Sequence, residues 1–107
     1  MSFLTPGKKN LITDVKGLYI GNSENELINT GSTILTCEDR FVASYKVLGG
    51  APGTRETDLL EPDKLVEKID ALVFSGGSAF GLEAASETVN LLRKDNKGYS
   101  VSNTKVP

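Results

Sequence analysis

The stretch Ala71–Ala85, "ALVFSGGSAFGLEAA", constrains the fold of this chain more than any other. Ala71 to Phe74 is short, fully apolar and ends at glycines, the pattern of a buried strand. From Gly81 or Leu82 to Lys94 the spacing changes to that of a helix. Leu82, Ala85, Val89 and Leu92 fall at i, i+3, i+7 and i+10, and Arg93 and Lys94 suit the negative C-terminal end. A strand that passes through a glycine turn into an amphipathic helix commits the chain to layered packing, so the fold class read here is α/β (α+β).

The remaining segments fit around that unit. Residues 1–10 are polar and read as an N-terminal arm, with Ser2 exposed as a free N-terminal serine if Met1 is removed. Residues 11–48 read as strands and a hairpin. "LITDV" and "GLYIG" break at Lys16-Gly17, "NSENELINTG" (22–31) has loop composition, and "STILTCEDRFVASYKV" reads as a hairpin turning near Glu38-Asp39. Residues 49–61 form a Gly/Pro loop. Pro62 suits the first turn of a helix, and Leu65, Val66 and Ile69 give "DKLVEKI" an apolar stripe, so 62–94 reads as helix-strand-helix. Residues 99–107 begin another strand. At 107 residues the whole is a single domain with little apolar surplus.

Charge and composition exclude several classes of function. A net charge of −2 with no run of either sign gives no basic face for nucleic acid. The apolar runs are too short to span a bilayer, and Met1-Ser2-Phe3-Leu4 lacks a signal peptide's n- and h-regions, so a cytoplasmic location without membrane contact is expected. The single cysteine, Cys37, agrees with a reducing compartment and reads as a small buried hydrophobe. Histidine is absent, which removes Ser-His-Asp and Cys-His catalysis. One cysteine and no histidine leave only carboxylates as metal ligands, so neither a metal site nor a cofactor is expected.

Two motifs invite a functional reading. Gly76-Gly77-Ser78-Ala79-Phe80 departs from the nucleophile elbow G-x-S-x-G at its last position, and no histidine can activate Ser78. Ser78 reads instead as a helix cap. Gly76, Gly77 and Ser78 could also present amides to a carboxylate or oxyanion, a weak signal for substrate binding. In "GGAPGTRETDLL" (49–60), Arg55 could clamp a carboxylate, and Glu56 or Asp58 could act as acid or base. The bland alternative is a loop in which Arg55 pairs with neighbouring acids or carbonyls. Glu61, Asp63, Glu67 and Asp70 read as a solvated helix face.

"ITDVKGLYIGN" (12–22) and "VLGGAPGTRETDLLEPDKLVEKIDALVFSGGSAFGLEAA" (47–85) together resemble the L-aminopeptidase/D-esterase family, which includes β-peptidyl aminopeptidases. The motif positions that carry the resemblance include Gly49, Gly50, Arg55, Asp58, Phe80 and Gly81. The family implies a self-processing hydrolase with an αββα sandwich, like other N-terminal-nucleophile hydrolases. Its precursor cuts itself once and exposes a Ser or Thr at the start of a β chain, whose own amino group serves as base. Members are several times longer than this chain, and their nucleophile lies well downstream, so no catalytic residue carries over to residues 1–107. The resemblance therefore implies the N-terminal part of an α chain, inactive alone. Its partners would be the rest of that chain and the nucleophile-bearing β chain, in a homo-oligomer of αβ units acting on small peptides, amides or esters. The competing reading is a non-catalytic small-anion-binding module built on the glycine turn.

Overall fold

The computed structural model describes residues 3–107. Met1 and Ser2, and with them the expectation for an N-terminal serine, lie outside the described residues. The rest of the N-terminal arm is fastened at its end. The Asp14 carboxylate accepts from the Lys9 amide at 3.0 Å and the Leu11 amide at 3.2 Å, next to a 3-10 turn at Ile12–Asp14.

Strand β1 (Leu18–Asn25) pairs antiparallel with β2 (Thr30–Phe41), in register from Leu18↔Cys37 to Asn25↔Thr30. The turn between them is Glu26–Asn29, and this corrects two expectations. Six of the ten residues in the supposed loop 22–31 are strand, and β2 runs through Glu38-Asp39, where a turn was expected. The reason is local. The Asn25 Oδ1 accepts from the Leu27 amide at 3.1 Å, and Asn29 takes φ +49°, a left-handed conformation that asparagine tolerates. Glu38 instead lies on the sheet, accepting the Tyr19 hydroxyl from β1 at 2.8 Å.

Strand β3 (Ile69–Ser75) completes a sheet ordered β1-β2-β3, pairing antiparallel from Ser32↔Ser75 to Thr36↔Ala71. The register then shifts, so that Phe41 meets Ile69. Alternation puts Leu18, Ile20, Leu35, Cys37, Leu72 and Phe74 on one face. Among the described residues Leu35, between Ile20 and Leu72, is the one buried hydrophobic side chain, while Cys37 is only half-buried.

A 3-10 turn at Ser78–Leu82 leads into helix α1 (Glu83–Lys94), as the periodicity requires. The helix packs on β3, and buried Thr88 returns its hydroxyl to the Ala84 carbonyl at 2.7 Å. The last expected strand proves to be a hairpin, β4 (Tyr99–Val101) and β5 (Thr104–Val106), a separate two-stranded sheet turning at Ser102 with φ +51°. Helix and antiparallel sheet together make the fold α+β.

The helix expected after Pro62 is absent. A 3-10 turn at Asp58–Leu60 is followed by turns and bends, with Leu65 78% exposed. Seven residues of pattern cannot repay helix nucleation without a surface to pack on, and Ile69 is taken by the pairing with Phe41. The acids read as one solvated face therefore separate. Asp63 pairs with Lys64 at 2.8 Å, whereas the Asp70 side chain is only 6% exposed.

The surface is large for the mass. A compact chain of this size exposes roughly 5,800 Å², whereas this one exposes 8774 Å². Its radius of gyration is 15.7 Å, against about 13 Å for a closed domain of this length.

Candidate functional site

The glycine turn after β3 is shaped by close backbone approaches. The Gly76 amide donates to the Gly31 carbonyl at 2.9 Å, which ends the pairing with β2. A Cβ at Gly76 would strike the Thr30 hydroxyl, and a Cβ at Gly81 would run into the Gly76 carbonyl. Gly77 adopts φ +90° and Ser78 φ +61°, two consecutive left-handed residues that swing the chain into the 3-10 turn. Ser75 bridges the base of the turn, its hydroxyl donating to the Gly81 carbonyl at 2.5 Å. The glycines are thus required by backbone geometry.

Ser78 does not cap the helix. It lies inside the 3-10 turn behind Gly77, and no side-chain cap bond forms at either helical start. Sequence reasoning missed the left-handed Ser78, because a serine before a helical pattern ordinarily signals a cap. Gly76, Gly77, Ser78 and Phe80 are all exposed, Phe80 by 89%. Among the described residues no hydrogen bond or ion pair brings a cationic side chain to this turn.

The loop residues separate likewise. Arg55 reaches α1, where its guanidinium donates to the Ser86 hydroxyl, and this corrects its assignment to neighbouring acids or carbonyls. Asp58 opens the 3-10 turn that follows and stays exposed. Gly49 takes φ +89°, and both Gly49 and Gly50 have open space around them. Arg55 and Asp58 therefore do not form one acid–base site. Tyr45 donates its hydroxyl to Glu61 at 2.7 Å, and this bond, with slight desolvation and the charges of Glu61 and Asp58, raises its pKa above 10.0. Tyr19 is raised in the same way by Glu38.

A cavity of about 510 Å³ lies between β3 and α1. Leu82, Ala85, Val89 and Leu92, the stripe legible in the sequence, line its helical wall. At its rim Arg40 holds three elements together. Its Nε faces the Asp70 carboxylate at 3.5 Å, its Nη donates to the Lys68 carbonyl, and its guanidinium lies 5.6 Å from the Tyr99 ring centroid. The sequence reading missed this pair. The signal was the lone charge in "IDALVFS", which a buried strand keeps only if a partner meets it. Among the described residues no cluster of acids, cysteine or histidine could hold a metal ion, and no helix is long and apolar enough to cross a membrane.

Among the described residues the arrangement is a scaffold and a cavity wall, with no serine, threonine or cysteine hydrogen-bonded to a side-chain base. Comparison with known proteins decides what it belongs to. The sequence profile of peptidase family S58, the L-aminopeptidase/D-esterase family, matches residues 10–107. The chain belongs to peptidase family S58. It is 37% identical over 106 residues to an uncharacterized aminopeptidase of Mycobacterium tuberculosis (strain ATCC 25618 / H37Rv), covering 92% of this chain and 31% of that protein. An uncharacterized aminopeptidase of Mycobacterium bovis gives the same figures. One of Mycobacterium leprae is 35% identical over 106 residues, covering 92% of this chain and 29% of its own length. The S58 chain described here thus spans about a third of the length of the curated relatives it matches.

Proposed function

We propose that this S58 chain is the N-terminal, scaffold-forming part of a self-processing aminopeptidase or amidase. Its substrates are N-terminal amino-acid amides, peptides or esters. The catalytic Ser or Thr stands at the start of a separate β chain, and its own amino group takes the hydroxyl proton, so the absence of histidine is no handicap. The remainder of the α chain and the β chain cover the apolar surface left open here, completing an αββα sandwich, and αβ units assemble further in the cytoplasm.

One observation carries this reading: the surface excess of about 3,000 Å² over a compact chain, with Phe74, Leu65 and Phe80 all more than 60% exposed. In a chain that matches its family from residue 10 onward, such a surface fits a domain awaiting the rest of its layers.

Intact-mass analysis of the protein purified from its natural source tests the proposal. A co-purifying polypeptide that begins with Ser or Thr, together with turnover of amino-acid p-nitroanilides, is the expected result. The 107-residue polypeptide alone should show no turnover. A pure, active preparation of this chain without a second polypeptide would overturn the reading.

A further inference from the structure

Arg55 carries a charge that the fold leaves open. It rises from an exposed loop and donates one side-chain hydrogen bond, to the Ser86 hydroxyl on α1. Among the described residues no carboxylate lies within ion-pair distance of it. A guanidinium is a planar fork of donors, and the bond to Ser86 leaves most of that fork free. Ser86 stands four residues after Leu82 and three before Val89, on the same side of the helical stretch. The bond therefore holds the guanidinium beside the apolar stripe, at the wall of the cavity of about 510 Å³.

That cavity has the character of a small-molecule site. Its volume falls within the roughly 300–1,000 Å³ of ligand pockets. Leu60 and Leu72 join Leu82, Val89 and Leu92 in its lining. The charges around it do not balance. Arg40 and Asp70 neutralise each other at 3.5 Å. Lys68 and Glu56, both exposed, are opposite in sign, which leaves Arg55 as the surplus cation. We propose that the cavity binds a monocarboxylate with an apolar tail, the carboxylate forked on Arg55 and the tail laid along α1. Arginine matches the two oxygens of a carboxylate with two parallel N–H bonds, and one negative charge cancels the surplus. A fatty acid and the C-terminus of an apolar peptide share this chemistry. Loop 53–66, α1 and the β4–β5 hairpin supply the walls from this chain alone, so the site does not depend on the hydrolase reading.

Titration of the 107-residue chain, followed by NMR of its leucine and valine methyls, tests the site. The probes are decanoate and N-acetyl-leucyl-leucine, each beside its uncharged counterpart, decanol or N-acetyl-leucyl-leucinamide. The expected result is saturable shifts at Leu82, Val89 and Leu92, with at least one carboxylate binding about tenfold or more tighter than its counterpart. The tighter of the two carboxylates then identifies the source as fatty acid or peptide terminus. Arg55→Gln should remove the preference for charge, whereas Ser86→Ala, which keeps the guanidinium, should retain it. If neither carboxylate exceeds its counterpart, the proposal is overturned, and the cavity is apolar surface for the rest of a larger enzyme to cover. Titrations without saturable shifts would overturn it as well. Should Arg55→Gln not fold, the charged and uncharged probes on the unaltered chain decide alone.

Discussion

Ser75 and Gly81 are locked across the glycine turn, the serine hydroxyl donating to the glycine carbonyl at 2.5 Å while the Gly81 Cα faces the Gly76 carbonyl. No side chain larger than hydrogen fits at Gly81 without moving backbone. Gly81→Ala should therefore destabilise the fold by about 1–3 kcal/mol through overpacking. Gly50→Ala, in open space, serves as the control and should change stability by less than about 0.5 kcal/mol. Urea unfolding of the two variants side by side checks the pair. Equal midpoints would show that the turn relaxes freely.

Ser78 leads to a different expectation from the one its sequence suggests. As a cap, its loss to alanine would cost about 1 kcal/mol. With no cap bond and φ +61°, the governing factor is instead the left-handed backbone. Ser78→Gly should stabilise the chain by about 1 kcal/mol, because glycine enters that region without steric cost. Ser78→Ala should stay within about 0.5 kcal/mol of the unaltered chain. Thermal melts order the three proteins, and a strongly destabilised Ser78→Ala would return the residue to a capping role.

The Arg40–Asp70 pair is a test of burial. Removing the arginine leaves a carboxylate with 6% exposure facing the cavity without its counter-charge. Arg40 is itself 29% exposed, so Arg40→Met should cost about 2 kcal/mol, less than the full loss of a buried pair. Arg40→Met with Asp70→Asn should recover part of that loss. A double variant no more stable than Arg40→Met would mean that the Lys68 carbonyl and Tyr99 contacts, not the charge pair, hold the rim.

Tyr45 gives a pH-dependent readout. Its pKa is raised by the bond to Glu61, so its folded value lies above its unfolded value. The stabilising contribution of that bond is therefore fully present below pH 10 and is lost as pH rises through the folded pKa. Glu61→Gln should bring the Tyr45 midpoint down toward 10, measured by NMR of the phenol ring carbon. A midpoint indifferent to the substitution would show that Glu61 does not hold the hydroxyl in solution.

Legibility in the sequence followed the range of the interactions. The β3–turn–α1 unit was readable because each part is local. An apolar run, glycines and a stripe at helical spacing specify it without reference to the rest of the chain. The hairpin was misplaced because Glu38-Asp39 looks like a turn by composition, whereas Asn25 and Asn29 make one by side-chain bonding and left-handed φ. The helix after Pro62 failed because its stripe has no facing surface, a fact of packing rather than of periodicity. The partners of Arg55 and Asp70 lie 31 and 30 residues away, at Ser86 and Arg40, and no local pattern encodes pairings at that range.

The register break between Thr36 and Phe41 has a consequence for how the chain folds. The β1–β2 hairpin closes over four residues and α1 follows β3 across one short turn, so the contacts within each unit are local in sequence. Joining them requires closing the long connection 42–68, which contains no strand and only a short 3-10 turn. The entropy of that closure grows only slowly with length, by about 0.6 kcal/mol per doubling. The β2–β3 seam is therefore the long-range join of this chain, linking a local hairpin to a local strand-turn-helix unit. At its end the Phe41–Ile69 step leaves the regular register, so the seam is held by the five regular pairs from Ser32↔Ser75 to Thr36↔Ala71 and closed by one irregular one.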